Sequence, residues 1–445
     1  MHESKQPDIA AAGRTVTSPP AVSVGRAWYT VSLLTALFIL SFVDRSILAL
    51  LAAPVSESLD LTNRELALLL GLGFALVYSV GGVPLAQLID THNRKVVVTV
   101  GVVIWSLATI LSSMATGFWS LLFLRCGVAL GEAVLTPAAV SLIADLFLRE
   151  KRSLPMSVYL SAGSFMSIGS YVVGAMAYDL AEGMRASTGL EPWQMTFVFV
   201  GTPGIVLAAI FALTAANPER TASSEASRDD MSWHGFLFYL RSQWQFFVPL
   251  VMCAGVYTLY GLAIVTWIPT VMVREQGIPL SDAGFILGWV GIPSALAGTF
   301  LWPIVAQRID RWKPKHGVPI VLLFGSIMAG PLYAAAIYLG GTAMYVTLAI
   351  GIFFGTAFAI MPPIGIQLFG PQRMRARMAA LNLLMIGLLG YGLSPLAAVE
   401  LGALLGGGER NLSAGLVWLC LLTTPFIIAL AATLVSQVNR AELQP

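Results

Sequence analysis

The sequence predicts an all-α integral membrane protein with twelve transmembrane helices arranged as two six-helix bundles. Three observations carry that prediction. Of the 445 residues, 57% are hydrophobic and only 11% are charged, against about a quarter charged in a soluble domain. The apolar residues gather into runs near the roughly 20 residues that a bilayer's hydrocarbon requires. One long polar segment lies midway, NPERTASSEASRDDMS from Asn217 to Ser232, and reads as a linker. The expected organisation is a tail at 1–27, a bundle at 28–216, a linker at 217–243, a second bundle at 244–435 and a tail at 436–445.

In chain order, the first run, 28–54, is apolar except for adjacent charges, Asp44 and Arg45. The second, 67–89, ends in the basic loop PLAQLIDTHNRK, and the third, 96–115, follows that loop directly. The fourth, 118–146, carries Arg125 and Glu132. The fifth, 153–178, holds the small-residue stretch GSFMSIGSYVVG, which lets helices approach closely. The sixth, 194–215, contains Thr202-Pro203. Beyond the linker, the seventh run, 244–272, brings Tyr257, Tyr260 and Trp267. The eighth, 283–309, ends in PIVAQRIDRWKPK, and 318–339 is the ninth. The tenth, 342–368, holds Phe353, Phe354, Phe358 and Met361. The eleventh, 377–399, contains GLLGYG with Tyr391, and the twelfth, 412–435, contains Thr424-Pro425.

Lys and Arg set the orientation. They cluster in the tails, the linker and the loops that follow even-numbered spans, while Arg64, Arg185, Arg274 and Arg410 fall on the opposite side. The positive-inside rule then puts both termini in the cytoplasm. Residues 1–25 are polar and give no cleavable signal peptide. The net charge of +2 implies no nucleic-acid partner. Cys126, Cys253 and Cys420 lie far apart in apolar runs and read as packing residues. No His or Cys spacing suits a metal, and no nucleophile constellation suits an enzyme. A channel would carry polar rings in both halves, whereas the deep charges occur in one.

Those charges hold the functional signal. Each costs about 2.5–3.5 kcal/mol in a bilayer on insertion scales, so they persist where they face one another or a watery cavity. Arg125 and Glu132 are seven residues apart and share a helix face. Asp44–Arg125 and Arg45–Glu132 are both admissible contacts, and the sequence does not choose between them. A carboxylate beside an Arg stays charged, and one parted from it in a drier state takes up a proton. Asp44 and Glu132 are therefore the expected proton-coupling groups, with Arg45 and Arg125 as charge partners or head-group contacts. The proton is the expected coupling ion, and no other cofactor is implied. Tyr257, Tyr260, Trp267, Phe358 and Met361 form a candidate apolar cavity wall. One charged wall and one aromatic wall suit a small amphipath, with small organic anions as the alternative cargo.

The halves echo one another. A-Q-x-I-D followed by basic residues occurs at Ala86–Asp90 and again at Ala306–Asp310, and the Thr-Pro pairs repeat at nearly the same offset. Two six-span repeats entering the membrane in one direction are related about its normal. The loop from Ala86 to Lys95 resembles the signature loop of the major facilitator superfamily. Asp90, Arg94 and Lys95 fit its pattern, while Ala86, Thr91 and Asn93 depart. Within that superfamily, FVDRSILALL, FALVYSVGGVPLAQLIDTHNRK, WSLATILSS and LRCGVALGEAVLTPAAVSLIADLF resemble bacterial Spinster-type transporters.

That resemblance implies the superfamily fold, alternating access, a bacterial inner-membrane location and a monomer. It implies lysophospholipid or sphingoid-type cargo, with proton-linked gating on the Asp and Glu. It also implies a cytoplasmic gate of Asp90, Arg94, Lys95, Asp145, Arg149, Arg152 and Asp310, in which Asp90 engages Arg149 or Arg152 and the basic cluster Arg373, Arg375 and Arg377 lies opposite.

Overall fold

The computed structural model describes residues 22–218, 233–371, 374–405 and 411–442. In an apolar solvent each backbone N–H and C=O must be satisfied within its own segment, so the apolar runs become helices. Eleven helices are long and apolar enough to cross a membrane: α1 Val24–Leu50, α2 Asn63–Thr91, α3 Arg94–Met114, α4 Phe118–Leu146, α6 Pro192–Thr214, α7 Trp244–Arg274, α8 Leu280–Trp312, α9 Gly317–Leu339, α10 Gly341–Phe369, α11 Arg377–Leu405 and α12 Leu412–Val438. A twelfth, α5 Ser153–Gly183, is bent by 48° between Gly163 and Phe165. The expected runs match these helices to within a few residues. The expected first span runs past the end of α1, because the chain breaks at Leu51 and continues as a short helix, Ala52–Leu59.

Local signals set the helix starts. Thr62 and Glu65 cap α2 reciprocally, Thr62 N–H donating to Glu65 Oε2 at 2.9 Å. The Asn93 side chain accepts from the backbone N–H of Lys95 and Val96 at the start of α3. Helices α1 to α6 pack on one another, chiefly α1 with α5, α3 with α6 and α3 with α4. Helices α7 to α12 do the same, chiefly α7 with α11, α9 with α10 and α9 with α12. The Thr-Pro pairs occupy like positions. Thr202 donates to Val198 O and Thr424 to Cys420 O, each at 2.6 Å.

The two groups of six meet at one end and part at the other. The face where α1 begins is called here the near face. On the far face, Arg274 at the end of α7 donates to Asn63 Oδ1 at 2.7 Å and also to Ser56 Oγ. Arg64 Nε lies 2.7 Å from Glu400 Oε1. Tyr171 on α5 donates to Val265 O on α7 at 2.8 Å. Helices α5 and α8 touch from Gly284 to Gly291, where the missing side chains admit Tyr171, Val172 and Ile168. Nearer the near face they separate around a groove of about 620 Å³, lined by Val158, Ala162, Phe165, Ile292, Leu296 and Phe300 among others. The fold is thus closed on the far face and open toward the near face.

Candidate functional site

Adjacent residues on a helix point about 100° apart, and α1 uses that divergence. Arg45 turns toward the space between the halves and keeps 23% of its side chain exposed. Asp44 turns into the first six-helix group and is fully buried. Of the two contacts the sequence left open, the structure forms one as an ion pair, Arg45 Nε to Glu132 Oε2 at 2.5 Å. Arg125 meets α1 differently. Its Nη1 donates to the backbone oxygen of Asp44 at 3.1 Å, not to the carboxylate. Both oxygens of the Asp44 carboxylate are buried and form no ion pair, with the Thr109 hydroxyl on α3 as their polar neighbour. Arg125 Nε and Glu132 Oε1 are buried without a hydrogen bond.

Helix packing explains how Glu132 becomes so deep. A Cβ on the neighbouring Gly131 would lie 2.5 Å from Gly101 O, so α3 and α4 approach at a distance only glycine permits. The charge on Arg45 is also met by rings. Its Cζ stands 4.8 Å from the centre of Tyr78, 5.5 Å from Phe74 and 5.6 Å from Phe42, and Arg125 Cζ is 5.4 Å from Phe74. Desolvated cation–ring contacts of this kind contribute about 2 kcal/mol or more, and exposed ones less. The site residues that sequence reasoning passed over are thus Phe74 and Tyr78. Their spacing of four places them on one face of α2, a pattern visible in FALVYSVGG.

Arg45 and Arg125 line a central cavity of about 110 Å³. Its other walls are Phe42, Phe74 and α5 from the first half, and Leu262, Val265, Thr266 and Tyr391 from the second. Here the structure corrects an expectation. Tyr260, Trp267, Phe358 and Met361 are almost wholly buried inside the second half. Tyr257 stacks on Phe358 with centroids 4.5 Å apart, and its hydroxyl meets that of Tyr333 at 3.3 Å. Trp267 donates its indole N–H to Pro395 O at 3.0 Å. Aromatics at helical spacing pack the core of this half, and it is α7's Leu262–Val265–Thr266 face and α11's Tyr391 that reach the cavity.

The expected gate residues cluster on the near face, yet in this conformation they bind within the halves. Arg94 is buried and pairs with Asp145, with Ser141 Oγ at 2.9 Å and with Pro218 O at 3.0 Å. Asp310 accepts from the backbone N–H of Gly317 at 2.6 Å and so fastens the turn between α8 and α9. Arg152 Nε donates to Phe147 O at 2.8 Å, and Arg375 Nε to Gly370 O at 3.0 Å. Asp90 is exposed and has no partner among the described residues, so the expected contact with Arg152 is absent. Lys95 is half-buried. The Arg149 side chain and Arg373 lie outside the described residues.

The Major Facilitator Superfamily profile matches residues 33–395 of this chain. The chain belongs to the Major Facilitator Superfamily. Members of that superfamily are transporters, and this one is Spinster-like. It is 28% identical to an MFS-type efflux pump of Mycolicibacterium smegmatis, over 68% of this chain and 69% of that one. It is 26% identical to Protein spinster homolog 3 of Danio rerio, over 84% of this chain and 76% of that one. A probable L-galactonate transporter of Escherichia coli is 26% identical, over 70% of this chain and 69% of that one. Among solved structures, a bacterial homolog of the human lysosomal transporter Spinster, in an inward-facing and unoccupied conformation, superposes with a TM-score of 0.78. That pair is 24% identical, with 94% of this chain and 98% of the other covered. The shared fold is that of the superfamily.

Proposed function

We propose that this Spinster-like transporter moves an amphipathic, lipid-like substrate of the lysophospholipid or sphingoid type by proton-coupled alternating access across a bacterial inner membrane. The near face is then cytoplasmic, as the positive-inside bias argues, and the conformation is inward-open. One observation carries the reading. A two-arginine pocket lies at mid-depth beside a largely apolar groove, between α5 and α8, that is several times its volume. The pocket has room for a head group and the groove for a chain.

The coupling group in this reading is Asp44, with Glu132 as the second titrating site. An ionised carboxylate taken from water costs several kcal/mol unless paired, and Asp44 has no pair here. A bound proton removes that cost. A rearrangement that brings Arg125 onto the Asp44 carboxylate favours release, so proton occupancy and the exposed face become linked. Asp90 and the basic residues around it form the cytoplasmic gate when the near face closes.

Small organic anions are the second reading, favoured by the Escherichia coli relative and by the 110 Å³ of the pocket itself. Proteoliposomes under an imposed pH gradient separate the two, using labelled lysolipids, sphingoid bases and sugar acids with wild type, Asp44→Asn and Glu132→Gln. Gradient-driven lysolipid movement lost in the variants is the expected result. Movement of sugar acids alone selects the second reading, and equal transport by all three proteins refutes coupling at these carboxylates.

A further inference from the structure

The charged groups of the site all come from the first half, so a cargo held only by them would not draw the halves together. We propose that Tyr391 is the second half's polar contact to the cargo, its hydroxyl donating to an anionic head group, phosphate or carboxylate, held at Arg45 and Arg125. This rests on the transport reading above and names the head-group chemistry of the same pocket.

Three independent features place Tyr391 there. It lines the same central cavity as the two arginines, with 48% of its surface exposed. Besides Tyr391, the second half presents one other hydroxyl to the cavity, that of Thr266, and two aliphatic side chains. The backbone around Tyr391 is also irregular. Residues Ile386–Leu393 form a π-helical segment, a rare geometry found frequently at functional sites. Among the described residues no other helix contains one.

That turn is seated against the first half. A Cβ on Gly71 would lie 2.8 Å from Gly392 O, so α11 and α2 touch backbone to backbone one residue after Tyr391. Gly71 is also where α2 breaks between Asn63–Leu70 and Leu72–Thr91. On its other side, Gly390 fits against Thr258 and Leu262 of α7, leaving no room for a side chain. The backbone on either side of Tyr391 is therefore seated, against α7 before it and against α2 after it, and the ring lines the cavity. Arg125 lines the same cavity at 3% exposure, and its buried Nε has no hydrogen-bond partner.

The test is Tyr391→Phe, which removes one hydroxyl from a half-exposed ring and leaves packing alone. Binding to purified protein in detergent would be measured for oleoyl-lysophosphatidylglycerol, for uncharged monooleoylglycerol and for galactonate, alongside thermal stability. Hydrogen bonds to charged groups contribute enough for about a tenfold or greater loss. The expectation is that loss for the anionic lysolipid, less than about twofold for monooleoylglycerol, and an unchanged unfolding temperature. Equal losses on both lipids, or no loss on the anionic one, overturn the assignment while leaving the transporter reading intact. If wild type binds galactonate and not the lysolipid, and the variant weakens galactonate, the lipid reading fails and the Tyr391 assignment stands. If wild type binds no anionic probe, both fall.

Discussion

The two buried carboxylates should respond unequally to neutralisation. Glu132→Gln removes the acceptor of the 2.5 Å ion pair with Arg45. At an effective dielectric of 20 and a separation near 3 Å the pair's gross attraction is about 5 kcal/mol. Breaking a buried pair by removing one partner costs about 3–5 kcal/mol. Arg45 keeps 23% of its side chain exposed and stands over three rings, so the lower end of that range applies, about 3 kcal/mol. Asp44→Asn removes no ion pair and keeps a carbonyl oxygen toward Thr109, and isosteric neutralisation should change stability by less than about 1 kcal/mol. Denaturant titration of the purified protein in micelles, following near-ultraviolet dichroism, orders the variants. The expected order is wild type and Asp44→Asn together, with Glu132→Gln clearly below. Should Asp44→Asn fall as far as Glu132→Gln, Asp44 holds a structural ion pair and cannot be the unpaired proton site.

Three further outcomes follow from named contacts. Arg274→Ala removes the bonds to Asn63 and Ser56 that span the halves, each worth about 1.5–3 kcal/mol when one partner is charged. Pulsed electron paramagnetic resonance between labels at Asp60 and Leu404 should show a longer-distance fraction rising about tenfold, and an unchanged distribution would mean that Arg274 does not hold the far face shut. Arg94→Ala should cost about 3–5 kcal/mol, with Arg94→Lys recovering only part, because an ammonium does not reach Asp145, Ser141 and Pro218 with fixed fork geometry. Phe358→Ala should cost about 3–5 kcal/mol through its cavity yet leave substrate affinity intact. A selective loss of affinity would return that ring to the binding site.

Much of the fold was legible because the bilayer imposes so strict a rule. With no water to satisfy the backbone, each apolar run of sufficient length becomes a helix, and the spans could be placed to within a few residues. The repeat was legible because both halves solve the same packing problem with the same Thr-Pro device. Asp44, Arg45, Arg125 and Glu132 stood out because charge is so costly at that depth. Their partners did not, since which of two adjacent side chains meets which neighbour depends on the rotation of α1 against α4. That rotation is set in part by the glycine contact between Gly101 and Gly131.

The aromatic wall shows the limit most clearly. Tyr257, Trp267 and Phe358 have the composition of a ligand surface, and helical spacing alone gives no sign of which face of α7 or α10 points inward to the bundle and which to the cavity. Hydrophobic burial is indifferent to that choice within a membrane, where core, lipid and cavity faces are all apolar. Tyr391 reaches the cavity only because a π-helical turn and a glycine contact with Gly71 set α11 against α2, contacts between residues more than three hundred positions apart. The sequence by itself determined the number and course of the helices and the four costly charges, because both follow from transfer energies that act residue by residue. Only the tertiary structure decided the Arg45–Glu132 pairing, the absence of an ion pair at Asp44 and the closed far face, because these depend on how one helix is rotated and packed against another.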